Sequence, residues 1–248
     1  MKRASSGLLP TAKKQCIRNP QKEFEELVRK GELKEVLLQI AKLQEAKPKW
    51  FNPDFLGIRI RSVVFLHDRR PKYWMPLVTA LKDAGGNVNY SHRGHSALSY
   101  LCGRGDLPGI KFLIKLGVDL DMPMKRGNGA LESLVVSGRR ACLKWLIQQG
   151  HKTKYYPLHM CAKVDFDPND IMDILFEGKF DVEQLNDNKE TPLQVAFKHE
   201  NYAAAEYLLD IGGASLEGTL HGKPLRSSLE YSIFLEEYPD YAEDLDNA

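Results

Sequence analysis

Gly94-His95-Ser96-Ala97-Leu98-Ser99-Tyr100-Leu101-Cys102-Gly103-Arg104-Gly105 returns in altered form as Gly127-Asn128-Gly129-Ala130-Leu131-Glu132-Ser133-Leu134-Val135-Val136-Ser137-Gly138. Leu98 to Leu131, Leu113 to Leu146 and Gly117 to Gly150 are each 33 residues apart, so two blocks align without a gap. A fixed period of this size indicates a repeat architecture. Within each block, leucine and alanine recur at three- and four-residue spacing, which gives a short helix one apolar stripe. Two such helices cannot bury their stripes alone. Neighbouring units must therefore stack to make a continuous core.

Further copies flank the first two. Pro157-Leu158-His159-Met160-Cys161-Ala162 and Thr191-Pro192-Leu193-Gln194-Val195-Ala196 each open a helix. Thr191 is suited to cap the first turn, and Pro192 fits where a missing N–H is an orphan anyway. Tyr207-Leu208-Leu209-Asp210-Ile211-Gly212 closes that unit, Ala80 to Asn89 reads as a helix end running into a turn, and Lys223-Pro224-Leu225 opens a last copy. Together these segments resemble the ankyrin-repeat family. The resemblance implies an all-α solenoid of stacked helix-turn-helix units with short β-hairpin fingers. It spans residues 23–235 as about six repeats, with divergent caps at both ends. It also implies that His159 ties one finger to the next repeat through backbone bonds.

Irregularities stand out against that period. Gly85, Gly117, Gly150 and Gly212 are expected to close second helices in the left-handed conformation. Between Thr153 and Pro157 a finger is cut short, leaving Tyr155 and Tyr156 to cover the gap. The link Asp165 to Asp170 is long, with Asp170 placed to cap a helix from Ile171 to Phe176. Upstream, Phe24, Leu27, Val28, Leu33, Val36, Leu37 and Ile40 follow helical spacing, broken at Lys30-Gly31-Glu32. Helices are expected near Ile58 to Leu66 and Pro76 to Asp83.

The 248 residues are 43% hydrophobic and 27% charged, enough apolar material for a large core and against global disorder. Apolar runs are no longer than about Val63 to Leu66, which excludes a spanning helix. The four cysteines form no CxxC pair, and three sit in apolar helical patterns; a reduced, intracellular setting, cytoplasmic or nuclear, is expected. The net charge of +2 conceals polarity along the chain. Residues 1–22 carry six positive charges and no acid, and residues 236–248 carry six acids and no base. The first segment reads as a flexible basic arm able to contact RNA or to act as a nuclear or mitochondrial address. The second reads as an acidic tail interleaved with aromatics: a short recognition motif, a solubilising cap, or a strap folding back on basic fingers.

Catalytic signatures are absent: there is no Walker loop, GxGxxG, HExxH or GxSxG. His92 and His95 lack further ligands for a tetrahedral metal site, and no cofactor or small-molecule substrate is expected. The reading is non-enzymatic. The resemblance instead places binding on finger tips and outward first-helix residues along a concave groove. Mapped copy by copy, these are His92, Arg93, His95 and Arg104; Lys125, Arg126 and Asn128; Lys154 and Tyr155; then Asp187, Asn188, Glu190 and Lys198. The central set is basic, which suits a protein partner with an acidic surface. An adaptor or scaffold for another protein is the leading expectation. The alternatives are a subunit of a ribonucleoprotein or organellar assembly whose basic arm meets RNA, and a pathogen effector or substrate-recruiting adaptor.

Overall fold

The computed structural model describes residues 19–67, 71–124, 129–164, 167–220 and 222–243. Lys125, Arg126 and Asn128, residues 1–18 of the expected arm and residues 244–248 of the expected tail lie outside the described residues. Helices pair along the chain: α1 (Pro20–Lys30) with α2 (Leu33–Ala46), α3 (Pro53–His67) with α4 (Pro71–Asp83), and α5 (Ala97–Arg104) with α6 (Leu107–Lys115). Then follow α7 (Ala130–Val136) with α8 (Arg140–Gln148), α9 (Pro157–Cys161) with α10 (Asn169–Glu177), and α11 (Pro192–Lys198) with α12 (Tyr202–Asp210). A closing pair is α13 (Leu229–Glu237) and α14 (Asp240–Glu243). The odd-numbered helices stack in one continuous row from α1 to α13. The helical repeat solenoid expected from the 33-residue period is what the chain forms.

Local sequence explains the starts and stops. Ser96 and Thr191 cap α5 and α11 by accepting the N–H groups of Ser99 and Gln194, whose side chains bond back to the capping residue. Prolines open α1, α3, α9 and α11, where no intrahelical donor is required. Leu98, Leu101, Leu131, Leu134, Leu158 and Leu193 are buried between successive first helices. Cys102, Cys142 and Cys161 are buried among them as small hydrophobes, and burial pushes their thiols up. Second helices pack through Trp74 edge-on to Phe112, Lys111 over Trp145, and Phe176 stacked on Tyr207.

Several expectations are corrected. The first helix starts at Pro20, inside the segment read as the arm, and α3 and α4 start at Pro53 and Pro71, earlier than their periodic residues suggest. Gly85, Gly117 and Gly150 are left-handed, but Gly212 is not; Gly213 takes that conformation instead. Gly212 is needed for proximity, since a Cβ there would lie 2.6 Å from the carbonyl oxygen of Leu208. Asp170 lies within the first turn of α10 and pairs with Arg140 of the preceding repeat, while Asp167 receives the Asn169 N–H. Only two fingers are strand pairs among the described residues: β1 (Ser91–His92) with β2 (His95–Ser96), and β3 (Thr219–Leu220) with β4 (Lys223–Pro224). Part of the expected tail is structured: Tyr238 and Tyr241 pack on Phe234, and Tyr241 donates to Asp210.

Side chains reach across repeats to backbone. Asn201 caps α12 through the Ala204 N–H, and its amide lies against the carbonyls of Cys161 at 3.4 Å, Ala162 at 3.5 Å and Val164 at 3.1 Å. Asn201→Ala should cost about 1–2 kcal/mol, from one helix cap and the carbonyls left behind. Asn201→Ser keeps a capping oxygen but removes the amide donor, so it should fall between the two in urea unfolding. Equal stability of Asn201→Ala and the parent would contradict this account.

Candidate protein-binding groove

On α5, Leu98, Leu101 and Cys102 turn inward, which leaves Tyr100 and Arg104 one helical turn apart on the outer face. Arg61 and Phe65 hold the same spacing on α3, the helix stacked beside α5. Phe65 stacks on Tyr100 with ring centres 4.2 Å apart and planes 23° from parallel. Arg61 lies 5.7 Å from the centre of Phe65, and Arg104 lies 5.7 Å from that of Tyr100. The order is therefore Arg61, Phe65, Tyr100, Arg104: two rings bracketed by two guanidinium groups. Arg61 is further held by donating to the carbonyl of His95 at 3.3 Å. Phe65 keeps 38% of its surface exposed, a high value for a phenylalanine within a helix.

This stack forms one wall of a surface groove of about 550 Å³ between α3, α5 and α7. Ser133, Val136 and Ser137 of α7 form the opposite wall, with Met124, His95 and Ser99 completing the lining. The period explains the recess. Tyr100 and Arg104 of one repeat correspond to Ser133 and Ser137 of the next, so small side chains replace large ones. Among the described residues the lining carries Arg104 and His95 but no carboxylate.

The sequence-predicted residues divide into three groups. His95 and Arg104 line the groove, and His92 and Arg93 are exposed at the tip of the β1–β2 finger beside it. Arg93 and Gly94 are left-handed, as a two-residue hairpin turn of this twist requires. Lys154 and Tyr155 stand at the truncated finger, with the lysine 5.3 Å from the ring centre. Asp187, Asn188, Glu190 and Lys198 form a third cluster whose polar groups are largely used by one another. Glu190 pairs with Lys198 at 2.5 Å and accepts from Asn186, and the bond from Lys198 holds its carboxyl near pKa 2. Asp187 accepts from the Tyr156 hydroxyl at 2.7 Å, which pushes that phenol up.

The two tyrosines of the short finger do cover the gap. Tyr155 donates to the carbonyl of Asp121 in the preceding finger, and Tyr156 to Asp187 in the following one. His159 is buried with Nε2 2.9 Å from the carbonyl of Glu190, and burial lowers its basicity, so the neutral ring donates from Nε2. Beneath the short finger, Glu132 is fully buried and accepts the Gly129 N–H. Burial raises its carboxyl, with bonds from local backbone and Thr153 opposing the shift.

Phe65 is the groove residue that periodicity misses. It shares an apolar helical run with Val63 and Val64, and only exposure separates it from the core. Tyr241 of the tail is held at the α13 end of the row, against Phe234. Among the described residues no group of three histidine, cysteine, aspartate or glutamate side chains is placed to hold a metal ion. No helix among them is long and apolar enough to cross a membrane.

No protein-family model matches the chain, and no curated protein matches it. Among solved structures, the chain is similar to the ankyrin repeat domain of human ASB11, with a TM-score of 0.51 and 22% identity. The match covers 74% of this chain and 82% of that one. At that identity the likeness shows the fold: the chain forms a stacked helical-repeat solenoid like that of an ankyrin repeat domain.

Glu132 makes a pH-dependent prediction. A carboxyl whose folded pKa is raised favours the fold fully below its unfolded value, and that contribution is lost as pH rises through the folded pKa. Gln194 fills the same third helical position in α11 without charge. Glu132→Gln should therefore raise the melting temperature at pH 7 relative to the parent, with the gain closing toward pH 4. Identical melting of parent and variant at pH 7 would remove the basis for this reading.

Proposed function

We propose that the chain is a non-enzymatic adaptor that holds another protein in the groove between α3, α5 and α7. One observation carries the reading: the Phe65–Tyr100 stack, with Phe65 38% exposed, stands on the outer face of two neighbouring first helices beside a recess. Aromatic and arginine side chains in a concave site are the residue types that dominate protein-binding energetics. The stack is also preorganised. Its members sit on helices fixed by the array, so little side-chain entropy is lost when a partner arrives. A scaffold in which the β1–β2 finger adds His92 and Arg93 at the rim, and Lys154 and Tyr155 extend the contact, follows the same geometry.

The test is site-specific photo-crosslinking in native cells. A benzoylphenylalanine replacing Ser137, in the groove, should yield discrete protein adducts, and one replacing Lys144 on α8, outside the groove, should not. Adding Tyr100→Ala to the Ser137 variant should remove the adducts without shifting the melting temperature by more than about 2 °C, since the lost contact lies at the surface. Equal adduct patterns from both positions would refute a dedicated groove.

A further inference from the structure

Helix α2 carries apolar surface that its packing within the chain does not use. Its buried side is Val36, Ile40 and Leu43, at the four- and three-residue spacing of a core stripe. Away from that side lie Leu37 and Leu38, 48% and 59% exposed, with Ala41 exposed one turn on. A lone exposed leucine is ordinary, but two together with an alanine make a continuous patch. An α2 that served only to close the end of the array would be polar here. Charged residues bracket the patch, Lys34 and Glu35 before it, Lys42 and Glu45 after it. Among the described residues none of these four is in an ion pair.

Lys34, Leu38, Ala41 and Glu45 are four, three and four residues apart, so they form one stripe along the helix. Opposite charges at its ends and apolar residues between make the stripe complementary to its own reverse. We infer that the chain self-associates through this face, two copies of α2 packing antiparallel about a two-fold axis level with Gln39 and Ile40. Lys34 then faces Glu45 of the other copy and Leu38 faces Ala41, each twice, as an isologous contact requires. On one flank Glu35 comes beside Lys42 of the other copy, and on the other flank Leu37 comes beside Ala41. A parallel pair would instead set Lys34 against Lys34 and Glu45 against Glu45. The small Ala41 side chain lets the two axes approach toward the ~8 Å end of helix-packing distances. The 14 residues of α2 run ~21 Å, and one such helix per copy covers less than the ~1,200 Å² of a standard interface. The dimer is therefore weak, with a dissociation constant on the order of 10–100 μM. None of the described groove residues lies on α2, so this inference stands apart from the groove reading.

The test is sedimentation equilibrium of the full chain, from about tenfold below to about tenfold above that constant. The parent should follow a monomer–dimer curve. Leu38→Glu sets two carboxylates in the apolar centre and should weaken the dimer by about tenfold or more. Its melting temperature should not change, since Leu38 is exposed in the monomer. Lys34→Glu creates two like-charge contacts and should weaken the dimer about fivefold, and Lys34→Glu combined with Glu45→Lys should restore it. A parent that is monomeric throughout, or a dimer indifferent to Leu38→Glu, would overturn the α2 surface. A dimer lost in Leu38→Glu but unmoved by Lys34→Glu, or not restored by the charge exchange, would overturn the antiparallel register. A parent that stays monomeric yet sediments with vesicles of phosphatidylserine and phosphatidylcholine, where Leu38→Glu does not, would assign the face to a lipid surface instead.

Discussion

Everything in this molecule depends on the inability of its helices to stand alone. Apart from the longer pairs α1–α2 and α3–α4, no helix among the described residues exceeds nine residues, and α7 has seven. Helices shorter than ~12–15 residues are marginal in water, and their stability comes from burying an apolar face. Each first helix therefore needs its neighbour: Leu98 and Leu101 are closed by Leu131 and Leu134, and these in turn by Leu158. The end of the row is closed differently. Phe197 of α11 meets Tyr231 and Phe234 of α13, and Tyr238 and Tyr241 then cover Phe234. The acidic residues of the C-terminal helices thus accompany an aromatic lid over the final hydrophobic layer.

Apolar stacking is non-directional and leaves the register between repeats loose. Direction comes from side chains that bond the backbone about one repeat away. Asp119 N–H is received by Asn89 and Ser215 N–H by Glu183, and Arg139 donates to the carbonyl of Gly103. His159 and Tyr155 do the same for Glu190 and Asp121. Each satisfies a loop group that has no ladder or helix to join, which is why loops as irregular as these remain ordered. Where the finger is cut short, two tyrosines span to the fingers on either side, so a missing hairpin is replaced by long side chains with polar tips.

The repeat, its period and its helix openings were legible in the residues because each is a local matter: a capping hydroxyl, a proline at the first turn, leucines at helical spacing. What failed to show was set by geometry between repeats. Gly212 and Gly213 are both compatible with a helix end, and only the approach of the Leu208 carbonyl and the Phe176 ring decides which is left-handed. Asp170 looks like a cap from its position before Ile171, yet Arg140 on the adjacent second helix draws it into an ion pair. The polar finger residues Asp187, Asn188, Glu190 and Lys198 were recognisable as surface, but their sequence does not reveal that they mostly satisfy one another. Phe65 was hidden for the opposite reason. It reads as core, and it becomes surface because Ser133 and Ser137, two helices away, are small.

That last point bears on how such an array acquires a site. A perfect repeat presents the same side chain at each step and so makes a flat, evenly filled face. The recess here arises where two successive copies differ at aligned positions, Tyr100 against Ser133 and Arg104 against Ser137, beside an aromatic contributed by the less regular α3. The inward leucines of the same helices barely change, since any loss of volume there would leave a cavity costing several kcal/mol. Stability thus restrains one face of each helix and frees the other, and the departure from periodicity on the free face is where recognition is written.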